Sequence, residues 1–211
     1  ILSVLYKNLN SDKIINIFFN IDISIIAISF FLFITITILT ALRLIWISGK
    51  EVPISATEAI KLTLSASSMN MVLPSKMGDS IKGAFISKKN KDSNSPNPII
   101  IVFYEKLIDL TAIILISLIG FFMFDKSIIS SLFLIILLKF ITLSFLFFKS
   151  ASMAKLFFKC ISIISLNKFN SHLNKFSFNW LKITNNKKDE FYKIFFFSIL
   201  LWLVHLLQIW T

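Results

Sequence analysis

Residues 23–42, ISIIAISFFLFITITILTAL, form a run of side chains without a single charge. In lipid only a helix satisfies its own backbone N–H and C=O groups along such a run, and about 20 apolar residues is the length that crosses a bilayer. The run closes on Arg43 and Trp46, a basic and an aromatic residue at helical spacing that read as interface anchors. Long, mainly apolar stretches recur at 99–124, which carries Glu105, Lys106 and Asp109 near its start, at 128–148 with only Lys139 interrupting, and at 191–210 with Lys193 in its first turn. The ten-residue alternating segments of a membrane β-barrel are missing. The fold class is therefore all-α, a polytopic transmembrane helical bundle.

Composition agrees, with 56% hydrophobic residues and a mean hydropathy of +0.81. The net charge is +11, and its 22 basic residues are all lysines except Arg43. They lie between the apolar runs rather than in one block, which fits a positive-inside bias and anionic headgroups and argues against nucleic acid as a partner. The lone Cys160 excludes an internal disulfide and a cysteine-rich metal site, and reads as an apolar filler. With Ile1 at one end and Thr211 inside an apolar run at the other, residues 1–211 read as one transmembrane domain, incomplete at both ends.

After Pro53, the sequence Ser55-Ala56-Thr57-Glu58 is a capping box that starts a helix to about Leu73. Ser55, Ala59, Thr63 and Ser67 recur every fourth residue, a low-bulk face for close helix packing. Pro74 stops this helix, Gly78 permits a tight turn, and Asp79 can cap a short helix through about Lys89. A polar loop follows from Lys91 to Pro98, and Asp125-Lys126-Ser127 is a turn joining helices 99–124 and 128–148 into an antiparallel pair. Residues 149–190 are basic and mixed. Lys155, Lys159 and Ser162 face away from Leu156, Phe157, Cys160, Ile163 and Ile164, and Phe169, Leu173, Phe176 and Trp180 repeat at helical steps, so both stretches read as amphipathic helices in the membrane interface.

Lysines crowd residues 76–98 and 149–190, which places both segments in the cytoplasm. Arg43 and Lys50 point to the same side. A re-entrant helical hairpin with Pro74 to Gly78 near its tip satisfies this charge pattern and implies a wet or protein-lined cavity. A complete crossing by residues 55–73 is the alternative, and it needs Arg43 and Lys50 outside with Lys7 and Lys13 inside.

The polar run Asn70-Met71-Val72-Leu73-Pro74-Ser75-Lys76-Met77-Gly78-Asp79 and the segment Tyr104-Glu105-Lys106-Leu107-Ile108-Asp109 conflict with their lipid-adapted surroundings. Ionisable groups in a bilayer are costly unless they face a partner or a polar cavity. Glu105 and Asp109, four apart, share one helix face with Lys106 a quarter turn away. Two placements stay open: either the stripe lies within the span, or the hydrocarbon begins at Leu107 and leaves Glu105 and Lys106 among headgroups. Phosphate-binding loops, nucleophile elbows and metal-binding histidine pairs are absent from the sequence, so no catalytic residue, metal or cofactor is expected.

These residues resemble the flippase-like membrane region of lysylphosphatidylglycerol synthases and its stand-alone relatives, from about Ile23 through Trp210. The resemblance rests on Arg43 with Trp46, on Ser55 opening a small-residue helix, on Asn70-x-x-x-Pro74-x-x-x-Gly78-Asp79-x-x-Lys82, on Glu105-Lys106-x-x-Asp109, and on Ser198 and Trp202. The chain departs at Lys82 and Lys106, where the family more often has arginine, and at Ser75, where glycine is common. Lysine keeps the charge but loses the bidentate fork for phosphate.

The resemblance implies a multi-pass protein of the plasma (inner) membrane that moves or handles a phospholipid or polyprenyl-linked glycolipid, with membrane lipids as partners. A soluble synthase or glycosyltransferase is a further candidate partner. The alternative is a membrane enzyme, or an accessory subunit of lipid-linked sugar or aminoacyl-lipid synthesis. The expected headgroup-binding set is Arg43, Asn70, Pro74, Lys76, Gly78, Asp79, Lys82, Glu105, Lys106 and Asp109. In it Lys76, Lys82 and Lys106 attract phosphate, while the three carboxylates pair with them or take a cationic headgroup.

Overall fold

The computed structural model describes residues 22–49, 52–72, 78–89, 98–124, 128–164 and 170–211. Eight helices lie within them: α1 (Ile23–Ser48), α2 (Ala56–Val72), α3 (Asp79–Lys89), α4 (Pro98–Phe124), α5 (Ile128–Lys149), α6 (Ala151–Ile164), α7 (Asn170–Asn186) and α8 (Phe191–Trp210). Among the described residues no strand occurs. α1 and α8 are each long and apolar enough to cross a membrane, and α5 with α6, bent by 109° at their junction, make a third candidate. The Asp125 turn, most of the 91–98 loop, Phe169, and Pro74 and Lys76 of the expected site lie outside the described residues.

α4 is the centre of the bundle and packs against α1, α3, α5, α7 and α8. α1 and α8 run antiparallel: Trp46 meets Phe197 at a ring distance of 4.4 Å near one end, and the Gln208 amide Nε2 donates to the Ser29 carbonyl at 3.4 Å near the other. α4 and α5 are antiparallel as the sequence predicts, since Tyr104 meets Phe148 and Phe121 meets Phe133. The N-terminal half of α1 exposes Ile23, Ile26, Phe30 and Phe31, the side-chain chemistry of a surface that faces lipid.

α2 and α3 form an antiparallel hairpin. At its base the capping box closes: the Ser55 N–H donates to Glu58 Oε2 at 2.8 Å and the Glu58 N–H donates to Ser55 Oγ at 3.3 Å. Lys89 Nζ lies 2.6 Å from the same Glu58 oxygen, tying the end of α3 to the start of α2. Hydrogen bonds from Lys89 and from the Ser55 backbone hold the Glu58 carboxyl down to about 2. This tie is therefore present at neutral pH and is lost only as pH falls from the ordinary carboxylate range through about 2. At 17 and 11 residues the arms are about 25 and 16 Å long. Both are shorter than the ~30 Å hydrocarbon core, and 17 residues is at the lower limit for a crossing helix.

The tight face of α2 coincides only in part with its stripe of small residues. Ala59, Leu62, Thr63 and Ala66 are buried, while Ser55 and Ser67 are exposed. α2 is gripped on one side by α1 and on another by α3, which turns Ala66 rather than Ser67 toward Gly78. Gly78 does more than allow a turn: a Cβ there would sit 2.2 Å from the Ala66 carbonyl oxygen and 2.9 Å from the Asn70 nitrogen. Its own N–H donates to Asn70 Oδ1 at 2.8 Å.

Two further expectations are corrected. The stripe on α7 does not lie wholly on the membrane surface. Trp180 is fully buried, with Phe147 stacked 4.6 Å away and Phe103, Tyr104 and Phe148 around it. An indole buries more apolar area against these rings than against lipid headgroups. Cys160 is exposed on α6 rather than filling the core. α6 itself presents Leu156, Phe157, Ile163 and Ile164 outward, as an interfacial helix does.

Two glycines of the hairpin make a paired test. Gly78→Ala should lower the melting temperature of the purified protein, with overpacking costing about 1–3 kcal/mol. Gly83→Ala meets only Val102 Cγ2 at 3.9 Å and should raise the melting temperature or leave it unchanged, because alanine is the better helix former by about 1 kcal/mol. Equal tolerance of both changes would contradict the close approach of α3 to α2.

Candidate lipid-headgroup site

Six ionised side chains form a linear chain of alternating sign inside the bundle. It begins at Asp109 on α4, whose Oδ2 accepts from Arg43 Nη2 of α1 at 3.0 Å, with a second contact from Nη1 to Oδ1 completing the fork. Arg43 Nη2 also donates to Glu105 Oε1 at 2.8 Å. Lys82 Nζ of α3 lies 3.1 Å from that same oxygen and 3.2 Å from Asp79 Oδ1. The chain ends where Lys106 Nζ meets Asp79 Oδ2 at 2.6 Å. Three cations against three anions make it neutral, which is what permits so many charges to be buried together.

Burial grades along the chain. Arg43 and Glu105 are 2% and 1% exposed, whereas the Lys106 side chain is 45% exposed. Arg43 is thus not an interface anchor. Its guanidinium finds two carboxylates nearer than headgroup water, and Nη1 donates to Ser198 Oγ of α8 at 2.9 Å. Trp202 Nε1 donates to Asp109 Oδ1 at 3.3 Å. Within the ionic chain two polar atoms, Arg43 Nε and Glu105 Oε2, are buried without a hydrogen-bond partner among the described residues, a costly condition in a protein interior.

The chain lines a cavity of about 230 Å³ walled by Thr37 and Thr40 of α1, Thr63, Ser67 and Asn70 of α2, and Trp202 and His205 of α8. Thr37, Thr40 and Arg43 fall at three-residue steps, a polar stripe that leads out of the first apolar run and is masked in the sequence by the apolar residues around it. A second space of about 810 Å³ lies between α3 and α4 and is lined mainly by Gly83, Ala84, Pro98, Ile99, Val102 and Phe103. Asp79 and Lys106 border both spaces, so their ion pair stands between an apolar groove and a polar cavity.

Of the expected set, Arg43, Asp79, Lys82, Glu105, Lys106 and Asp109 come together in the ionic chain. Asn70 borders the inner cavity and holds Gly78 at the hairpin. Among the described residues no group of three or more His, Cys, Asp or Glu is placed to hold a metal ion. The family model described as "Lysylphosphatidylglycerol synthase TM region" matches residues 1–211. The chain belongs to this family. No curated protein and no solved structure matches it. Membership of the lysylphosphatidylglycerol synthase TM-region family, together with the helical bundle, makes this a membrane-embedded protein linked to lipid handling.

The two ends of the chain should respond differently to loss of a cation. Arg43→Gln strands Glu105 and Asp109 and should cost about 3–5 kcal/mol, as for other buried pairs. Lys106→Gln removes a half-exposed charge and should cost about 1 kcal/mol or less. Adding Asp109→Asn to Arg43→Gln should recover part of the loss, read as a coupling energy from melting temperatures. Strict additivity would contradict the Arg43–Asp109 pairing.

Proposed function

We propose that the protein translocates a membrane lipid, and that the ionic chain and its cavity shelter the headgroup while the acyl chains stay in the apolar groove and the surrounding bilayer. The observation that carries this reading is the Asp79–Lys106 pair at the junction of the two spaces. The barrier to transbilayer movement is desolvation of a charged headgroup. A neutral chain of alternating charge lowers it without leaving any charge alone. A headgroup phosphate takes Lys106 from Asp79, and Lys82 remains on Asp79 at 3.2 Å as its counter-charge. Lys106 is the member suited to this exchange, being the most exposed and, within the chain, bonded only to Asp79. A lysine ammonium also changes partner with less geometric demand than the Arg43 fork.

Lys88 and Lys89 at the base of the hairpin lie at the same end of the bundle as Lys187, which neighbours Gly49 at the end of α1. Gathering of the basic segments at one end supports a cytoplasmic placement of residues 76–98 and 149–190. Cysteines introduced at Lys88 and Lys175, in a background lacking Cys160, should resist an impermeant thiol reagent in intact cells and react after permeabilisation. Labelling of either in intact cells would reverse the topology.

The proposal separates transport from folding. In vesicles carrying a fluorescent phospholipid, Lys106→Gln should keep the melting temperature within a few degrees of the parent and lose most of the protein-dependent transbilayer movement. Lys106→Arg should retain it. Transfer by Lys106→Gln at the parent rate would remove Lys106 from the path.

A further inference from the structure

A second group of cations differs from the interior chain in having no carboxylates. Where α5 turns by 109° into α6, a groove of about 710 Å³ opens toward α7, lined by Lys149, Lys155, Lys182 and Lys188 together with Thr184 and Asn185. No Asp or Glu lines it. Among the described residues Lys155, Lys182 and Lys188 make no ion pair within 4.0 Å. Lys149 donates to the Tyr192 hydroxyl and lies 4.1 Å from the centre of that ring, contacts that leave its positive charge uncompensated. The nearest acidic residues in sequence are Asp189 and Glu190, and Glu190 is held by Lys187 at 3.2 Å. Four lysines around one groove whose lining holds no acidic side chain make it a place that favours an anion.

The position of the groove selects the kind of anion. It lies where α5, the first part of a candidate span, ends, and Leu156, next in sequence to the groove's Lys155, is 58% exposed. Phe178, 70% exposed, is at its edge. A phosphate with hydrocarbon attached satisfies both surfaces, whereas a soluble anion satisfies only the lysines. We propose that this groove binds the headgroup of an anionic phospholipid, as a site separate from the interior ionic chain and independent of whether lipid crosses through that chain. Lys155, Lys182 and Lys188, which line the groove, supply the charge for the phosphate, and the Asn185 side-chain amide supplies a neutral N–H donor, the Thr184 hydroxyl being already given to the Trp180 and Leu181 carbonyls.

The test uses the full chain purified in a zwitterionic detergent, with native mass spectrometry reporting retained phosphatidylglycerol against retained phosphatidylcholine at matched concentrations. The parent protein should prefer phosphatidylglycerol. The triple variant K155Q/K182Q/K188Q should lose that preference on the order of 100-fold, at roughly fivefold per lysine near a charged headgroup. K155R/K182R/K188R should keep it, as should K61Q, which removes an exposed lysine from α2. These lysines hold no carboxylate partner, so the glutamine variants should fold, and the single K182Q with about a fivefold loss provides the same reading if the triple does not. Equal phosphatidylglycerol retention by parent and glutamine variants would overturn the site. Displacement of the lipid by an equal concentration of glycerol 3-phosphate, or by an acidic peptide, would overturn the lipid assignment in favour of a soluble anion or a protein partner.

Discussion

The Arg43 guanidinium, clamped between Asp109 and Glu105 and touching Ser198, is the interaction on which the arrangement depends. It draws α1, α4 and α8 to one point, and the arms of the α2–α3 hairpin close over it through Lys82. Such a pair is not needed for stability, since well-packed apolar side chains often do as well or better in its place. What it provides is a connected line of three cations and three anions whose charges sum to zero. Exposure along the line is least at Arg43 and Glu105 and greatest at Lys106, which makes Lys106 its accessible end.

The hairpin follows from the same constraint. Asp79 and Lys82 can reach α4 only if α3 lies against it, and α3 is positioned by the closeness of Gly78 to the α2 backbone and by the Glu58–Lys89 tie at the base. Short arms then leave room for the cavity beside Asn70 and Ser67. Cations outside this network behave differently. Lys155, Lys182 and Lys188 border their groove without carboxylates, so one set of positive charges is paired within the protein and another is not.

Most helices were legible because long apolar runs separated by Pro, Gly and clustered polar residues leave few other folds. α3 and α8 have the expected limits, and the capping box at Ser55 and Glu58 forms as read. The four-residue spacing of Glu105 and Asp109 likewise announced a shared face. The role of Arg43 was not legible, because a cation near the end of an apolar run looks the same whether it reaches for headgroups or for carboxylates 62 and 66 positions away. Trp180 was hidden for a similar reason: aromatic residues at helical steps suit an interface and a core alike. Which small residues of α2 are buried depended on where two neighbouring helices press, a tertiary fact with no local signal.

The central claim is that a lipid headgroup enters between the helices and reaches the ionic chain. Photo-crosslinking tests it directly, using a phospholipid with a photoreactive headgroup in vesicles containing the full chain, followed by peptide mapping. The account predicts adducts on cavity-lining peptides that include Ser67, Asn70 and Trp202, reduced by excess unlabelled phospholipid. Adducts confined to outward-facing residues such as Phe30 and Leu203, with none on the cavity wall, would contradict it.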